Sequence, residues 1–105
     1  MQEATIGELV RARAEGAVVV DVRETDEYVE GHVPGAIHIP LFMLPTRVEE
    51  IPVADPVFVI CRSGHRSLQG AEVLAARGRT AVSVAGGTLG WIRSGQPVVT
   101  GSERG

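Results

Sequence analysis

The sequence predicts an α/β domain built on a mainly parallel sheet. Strand-like and helix-like segments alternate along the chain with short turns between them, as they do where helices connect the strands of a sheet. Two strand-like segments, residues 17–22 and 57–60, are apolar runs, and only Asp21 interrupts the first. Such runs are typical of strands that helices cover on both faces. The length of 105 residues suits one domain spanning residues 1–105.

Local signals predict the remaining elements. Thr5 and Glu8 have the spacing of a capping box that opens a first helix, and Gly16 ends it. The pattern further predicts a helix at 24–30, a strand at 36–39, short helical turns within 41–50, a helix at 66–77, a strand at 80–84 and a short helix around 89–92. Residues 98–105 are expected to form a flexible tail.

Composition and charge exclude several classes of function. The net charge of −3 and the 4% of aromatic residues argue against nucleic-acid binding and against an anionic membrane as partner. A single cysteine cannot form an internal disulfide or a paired-cysteine zinc site. The first residues, 1–4, lack a basic stretch followed by an apolar run, so we expect no secretory signal and a cytoplasmic location.

The segment after the second apolar strand carries the candidate chemistry. Cys61 follows the strand, and the polar residues 62–67 are predicted to form a loop that leads into a helix. Clefts form at the carboxyl ends of parallel strands, and a helix N-terminus there favours an anion such as a thiolate. Arg62, His65 and Arg66 add cationic side chains, and Gly64 allows the backbone amides to turn inward. We therefore predict an ionised, reactive Cys61 at the base of a cationic pocket.

Other interpretations of the same residues remain open at this point. A lone cysteine is often a small buried hydrophobe, and the arginines of a polar loop are often only solvated. A zinc site formed by Cys61 with His32, His38 and His65 is a further possibility, although no pair among them has the spacing of normal ligands.

Three blocks of the sequence resemble the rhodanese family of sulfurtransferases. Residues 28–39 match the rhodanese signature Y-x-x-x-H-V-P-G-A-x-x-I at every specified position, and residues 61–67, C-R-S-G-H-R-S, resemble the active loop of small bacterial members. Residues 21–23, D-V-R, also follow the family pattern, as does the Gly-Gly pair at 86–87. The resemblance extends over about residues 5–98.

This resemblance implies a fold and a reaction. The fold is a three-layer α/β/α domain with a five-stranded, mostly parallel sheet. In the reaction, Cys61 attacks the outer sulfur of a thiosulfate-like donor, and its persulfide passes the sulfur to a thiol, to cyanide or to a sulfur-accepting protein. No metal or other cofactor is implied. The substrate-binding loop would comprise Arg62, Ser63, Gly64, His65, Arg66 and Ser67, with the two arginines favouring an anionic donor.

The other matched residues are interpreted as structural. We expect Asp21 and Arg23 to form an ion pair or hydrogen-bond network that braces the active loop. His32 is interpreted as a structural histidine within a turn, and Trp91 as a core residue of the last helix. Glu72 is a candidate partner for one of the loop arginines.

Two further classes of function stay in consideration. Related phosphatases and arsenate reductases use C-x-x-x-x-x-R, whereas only four residues separate Cys61 from Arg66 here, a loop that suits a sulfur atom better than a phosphoryl group. The second alternative is a binding or sulfur-relay module, since a fold does not determine function by itself.

Overall fold

Five strands form one sheet in which every neighbouring pair runs parallel. The structure, a computed structural model, describes residues 3–105; Met1 and Gln2, which belong to the segment assessed for a secretory signal, lie outside the described residues. The spatial order is β1-β5-β4-β2-β3. The strands are β1 (Glu3–Ala4), β2 (Val19–Asp21), β3 (Ile37–His38), β4 (Val57–Ile60) and β5 (Ala81–Val84). The sheet is thus entirely parallel, where the resemblance implied a mostly parallel one.

Five α-helices connect and cover the strands. They are α1 (Ile6–Ala14), α2 (Thr25–Glu30), α3 (Leu44–Arg47), α4 (His65–Ala76) and α5 (Gly87–Arg93), and 3-10 turns at Leu41–Met43 and Val48–Glu50 flank α3. Within residues 3–105, no helix combines the length and the apolar character that crossing a bilayer requires.

The central strand β4 separates two hydrophobic cores, and this separation produces the three layers. Successive side chains of a strand point to opposite faces of the sheet. Val59 accordingly belongs to a core that includes Leu74 of α4. Phe58 belongs to the other core, with Leu9 of α1 and Trp91 of α5. The α/β/α architecture is confirmed, and Trp91, 1% exposed, is a core residue as predicted.

The predicted elements are present, with changes at their ends. The capping box of α1 is confirmed: the Glu8 N–H donates to Thr5 Oγ1 over 3.1 Å, and the Thr5 N–H donates to Glu8 Oε1 over 3.0 Å. The predicted strand at 57–60 matches β4. The strand predicted at 17–22 is shorter, because the ladders to β3 and β4 pair only residues of Val19–Asp21.

The last residues of the chain pair with the segment that follows α2. The N–H groups of His32 and Val99 each donate to the other residue's carbonyl oxygen over 2.9 Å. The Gly35 N–H donates to the Arg104 carbonyl oxygen over 2.7 Å, and the Gly101 N–H donates to that of Val29 over 2.8 Å. Residues of the predicted tail, 98–105, therefore have defined backbone partners. The flexibility of this segment stays a prediction.

Candidate active site

Cys61 lies at the carboxyl end of β4, where only 1% of the residue is exposed. The following loop is shorter than predicted. Gly64, with φ +119°, precedes α4, so the helix begins at His65 and includes Arg66 and Ser67 in its first turn. The helix predicted at 66–77 is confirmed with a start one residue earlier, so residues 65–67, which the predicted loop also included, belong to α4. A left-handed backbone at Gly64 turns the chain into the helix at once, and this conformation favours glycine.

Hydrogen-bond donors surround the Cys61 sulfur. The Gly64 N–H donates to Sγ over 3.1 Å, and the Ser67 hydroxyl oxygen lies 3.3 Å from Sγ. Burial raises the pKa of the Cys61 thiol, but hydrogen bonds from the Ser67 side chain and from the N–H groups of Ser67, Gly64 and Ser63 outweigh it and lower the pKa below its ordinary value. The site therefore favours an anionic sulfur through backbone and hydroxyl dipoles.

The N-terminus of α5 donates hydrogen bonds to the carbonyl oxygens of Cys61 and Arg62. The Thr88 N–H and the Thr88 hydroxyl both donate to the Cys61 carbonyl oxygen, over 2.8 and 3.0 Å. The Leu89 N–H donates to the Arg62 carbonyl oxygen over 3.1 Å. Gly87 permits this approach, because a Cβ built there would lie 2.5 Å from the Arg62 carbonyl oxygen. With its carbonyls satisfied by α5, the loop can present N–H groups to Cys61.

Arg66 is paired with a carboxylate. Its guanidinium makes two hydrogen bonds to Glu27 of α2, over 2.7 and 2.9 Å. The side-chain hydrogen bonds from Arg66 outweigh partial burial and hold the pKa of Glu27 at about 2. Glu27 thus neutralises the charge of Arg66, and the role of Arg66 in favouring an anionic donor stays a prediction. Arg62 and His65 are exposed, as is Ser63.

A cavity of about 300 Å³ opens beside the loop. Arg62 and Thr88 line it on the loop side, and Leu89 and Ile92 of α5 form an apolar wall. Glu27 and Glu30, together with Arg23, complete its charged side. Cys61 itself is not among the lining residues, so the cavity opens beside the loop and not directly onto the cysteine.

Asp21 and Arg23 form a buried ion pair at the end of β2. Arg23 Nη2 lies 2.7 Å from Asp21 Oδ2, and Arg23 Nε adds bonds of 3.0 and 3.1 Å to the two carboxylate oxygens. Arg23 Nη2 also donates to the Gly31 carbonyl oxygen over 2.9 Å. The predicted pair is present, and its further hydrogen bond reaches the end of α2. Within residues 3–105 it makes no hydrogen bond to the loop, so bracing of the loop stays a prediction.

The comparison with protein families decides the identity of the fold. A model described as a rhodanese-like domain matches residues 5–94 of the chain. The chain belongs to the rhodanese-like family.

Relatives and a solved structure agree with this assignment. The rhodanese-like chain is 37% identical over 89 residues to a sulfurtransferase of Allochromatium vinosum, an alignment that covers 84% of this chain and 83% of the relative. It is 37% identical over 87 residues to a thiosulfate sulfurtransferase of Actinobacillus pleuropneumoniae serotype 3, covering 82% and 81% of the two chains. The crystal structure of a rhodanese-related protein from Thermoplasma volcanium matches with a TM-score of 0.86 at 31% identity, over 94% of this chain and 98% of that one. Together these matches support sulfur transfer as the general activity.

His32 of the rhodanese signature is a buried structural residue, as predicted. It is 0% exposed; its Nδ1 lies 2.8 Å from the Tyr28 carbonyl oxygen, and its Nε2 lies 2.9 Å from that of Glu103. The Tyr28 ring stacks on His32 and also on His38, with centroids 3.6 and 4.5 Å apart. Within residues 3–105, no group of metal-ligating side chains brings these histidines together with Cys61.

Sequence reasoning missed three residues of the rhodanese site. Glu27 and Thr88 contact the loop from α2 and α5, and Ser83 of β5 lies behind Ser67. Their partners are 39, 27 and 16 positions away in the chain, so no local pattern marks them. The available signals were a serine within the apolar strand at 81–84 and the position of Glu27 directly before Tyr28 of the rhodanese signature. Glu72, the predicted partner of a loop arginine, forms no ion pair within the described chain.

Proposed function

We propose that this protein is a sulfurtransferase that carries a sulfane sulfur as a persulfide on Cys61. It takes the sulfur from an anionic donor such as thiosulfate and gives it to a thiol or cyanide. The observation that carries the proposal is the environment of Sγ, a buried sulfur that faces the Gly64 N–H and the Ser67 hydroxyl. Donors placed in this way stabilise a thiolate, which is the nucleophilic form of cysteine.

The reaction proceeds in two half-reactions. The Cys61 thiolate attacks the outer sulfur of thiosulfate; a new S–S bond forms, the old one breaks, and sulfite leaves with the electron pair. The loop N–H groups then hold the persulfide anion. In the second half-reaction the acceptor, a thiolate or cyanide, attacks the outer sulfur, and the Cys61 thiolate leaves. No net oxidation occurs at the protein, and double-displacement kinetics are expected.

The surroundings of the loop support an anionic donor of modest size. Arg62 is the exposed cation of the loop and lines the neighbouring cavity, whereas Glu27 neutralises Arg66. We therefore assign the attraction of the donor to Arg62 and the loop N–H groups. The Arg66–Glu27 pair also argues against phosphatase chemistry, because an arginine that is paired with a carboxylate binds a phosphoryl oxyanion poorly.

Intact-protein mass spectrometry before and after treatment with thiosulfate tests the proposal. Because the chain contains one cysteine, any gain of sulfur that is lost in Cys61→Ser is located at Cys61. We expect the wild type to gain one sulfur atom and to lose it again on addition of cyanide or a thiol.

The control is Cys61→Ser, which keeps a small polar side chain at the end of β4 and should gain nothing. Absence of the added sulfur on the wild type, with thiosulfate and with other sulfane donors, would contradict the proposal and favour a binding module. Hydrolysis of an aryl phosphate that Cys61→Ser abolishes would instead favour the phosphatase alternative.

A further inference from the structure

Two buried serines continue the hydrogen bonding of the reacting sulfur into the sheet. Ser67, in the first turn of α4, and Ser83, on β5, are both 0% exposed. Their hydroxyl oxygens lie 2.7 Å apart, and the Ser67 oxygen lies 3.3 Å from Cys61 Sγ. The three side chains thus form a row from β5 through α4 to the end of β4.

The chemistry of the three groups determines the direction of their hydrogen bonds. A thiolate can only accept, so Ser67 must donate its single hydroxyl hydrogen to Sγ once Cys61 is ionised. The Ser67 oxygen can then accept a hydrogen from Ser83. Among the residues that the structure describes, Ser67 is the only hydrogen-bond partner of the Ser83 hydroxyl. A buried hydroxyl is rarely left unpaired, so the Ser83 hydrogen points at Ser67.

We propose that Ser83 is a positioning residue, which donates to Ser67 Oγ and thereby directs the Ser67 hydroxyl hydrogen at Cys61 Sγ. The inference builds on the proposed function because it takes Cys61 as the reacting sulfur. It concerns the thiolate alone, however, and can be measured without any sulfur transfer.

Removal of Ser83 favours the protonated form of Cys61. In Ser83→Ala the buried Ser67 oxygen loses its donor, and the S–H of a neutral Cys61 is the nearby group that can replace it. The thiol then gains a hydrogen bond that the thiolate cannot make, so the pKa of Cys61 rises. Ser67→Ala removes the direct donor to the thiolate and raises the pKa further.

The test is the pH dependence of Cys61 alkylation by iodoacetamide on the full chain. Only the thiolate reacts, and Cys61 is the one thiol present. We expect Ser67→Ala to raise the pKa by about one unit, which slows alkylation roughly tenfold below the transition. Ser83→Ala should raise it by about half a unit, a roughly threefold effect.

A double variant distinguishes an effect of Ser83 that acts through Ser67 from an effect that is independent of Ser67. Because Ser83 acts through Ser67, Ser83→Ala should add no shift in a Ser67→Ala background. Ser94→Ala is the matched control, since the exposed Ser94 hydroxyl donates to the Gly90 carbonyl oxygen and has no part in the row. Ser83→Thr and Ser83→Val add similar bulk, but only Ser83→Thr keeps a hydroxyl at this position. We therefore expect the pKa of Cys61 to stay low in Ser83→Thr and to rise in Ser83→Val.

Several results would overturn the proposal. One is an unchanged pKa of Cys61 in Ser83→Ala. Another is an equal shift of the Cys61 pKa by Ser83→Ala with Ser67 present and in the Ser67→Ala background. A third is the same Cys61 pKa in Ser83→Thr and Ser83→Val. The charged groups around the loop are Arg62, His65, Arg66, Glu27 and the Asp21–Arg23 pair; they are identical in all variants and cannot cause a difference. Failure to acquire sulfur from thiosulfate would count against the proposed function and leave this alkylation result standing.

Discussion

The active loop and the turn at His32 are both built around a buried polar side chain, but with opposite surroundings. Cys61 is 1% exposed and faces donors, the Gly64 N–H and the Ser67 hydroxyl. His32 is 0% exposed and faces acceptors, the carbonyl oxygens of Tyr28 and Glu103. Donors favour an anionic sulfur, whereas carbonyl acceptors bind an imidazole N–H and hold the ring between chain segments.

A direct link connects these two regions. Arg66, in the first turn of α4, pairs with Glu27 of α2, and Gly31, which follows the end of α2, precedes His32. Strong sequence motifs therefore need not mark reactive groups. Both regions belong to the rhodanese pattern, and only the hydrogen-bonding environment distinguishes the one with the candidate nucleophile.

The largest effect is expected from crowding the active loop. In Gly87→Ala the new Cβ would meet the Arg62 and Cys61 carbonyl oxygens at 2.5 and 2.6 Å, at a residue with φ +56°. The loop must shift, so we expect a loss of at least about 3 kcal/mol in the free energy of unfolding, together with loss of sulfur loading. Urea unfolding and mass spectrometry measure the two effects.

Gly78→Ala is the control for the loop variant. Gly78 has φ +79°, but a Cβ there would meet nothing within 4 Å. It should therefore cost only about 1 kcal/mol for the left-handed backbone and leave sulfur loading intact. Equal costs for the two variants would show that the loop does not depend on the close approach of α5.

The next effect concerns the His32 turn. His32→Ala removes a fully buried, hydrogen-bonded imidazole that stacks on Tyr28, so we expect the free energy of unfolding to fall by about 3 kcal/mol. The pKa of Cys61 should not change, because none of the donors to Sγ belongs to the turn. His38→Ala, which loses one hydrogen bond to the Arg23 carbonyl oxygen at a half-buried position, should cost about 1 kcal/mol. A raised pKa of Cys61 in His32→Ala would show that the two regions are coupled.

The smallest effect concerns the Arg66–Glu27 link. The pKa of Glu27 is about 2 in the folded protein, against an ordinary value of 4.5. Because the folded pKa is depressed, the pair stabilises the fold fully above pH 4.5, and this contribution is lost as the pH falls toward 2. Solvent screening of the partly exposed pair limits it to about 1 kcal/mol. Urea unfolding at neutral and acidic pH should show this loss in the wild type and a weaker pH dependence in Glu27→Gln.

Glu50→Gln supplies the comparison for this variant. Glu50 pairs with Arg47 over 2.8 Å, but its side chain is 52% exposed, against 25% for Glu27. Glu50→Gln should therefore lower the free energy of unfolding by less than Glu27→Gln does. An equal change in both variants would contradict the view that the link contributes more than an ordinary surface ion pair.

Local signals predicted most of the fold and the position of Cys61, the candidate nucleophile, at the end of β4. The capping box at Thr5 and the apolar run at 57–60 are read from neighbouring residues, and both are present in the structure. The helix predicted from residue 66 starts one residue earlier, because the left-handed backbone at Gly64 is followed directly by α4 at His65. Such a backbone angle cannot be read from a polar segment that contains a glycine.

The contacts around Cys61, the candidate nucleophile, could not be predicted from the sequence. Glu27 neutralises Arg66 from a different helix, and Ser83 reaches Ser67 from a strand that is otherwise apolar. Whether a loop arginine is neutralised by a carboxylate depends on a residue that is distant along the chain. A single sequence therefore indicates the residue types of the site but not their electrostatic balance.

The burial of Cys61 has a consequence for the regiochemistry of the proposed transfer. A persulfide offers two electrophilic sulfurs, and attack at the inner one would leave the acceptor trapped on the protein as a mixed disulfide. The inner sulfur is Sγ, which belongs to a residue with 1% exposure and already faces the Gly64 N–H and Ser67. In the persulfide the outer sulfur occupies the approach by which the donor reached Sγ, so we expect the acceptor to attack the outer atom and the dead-end product not to form.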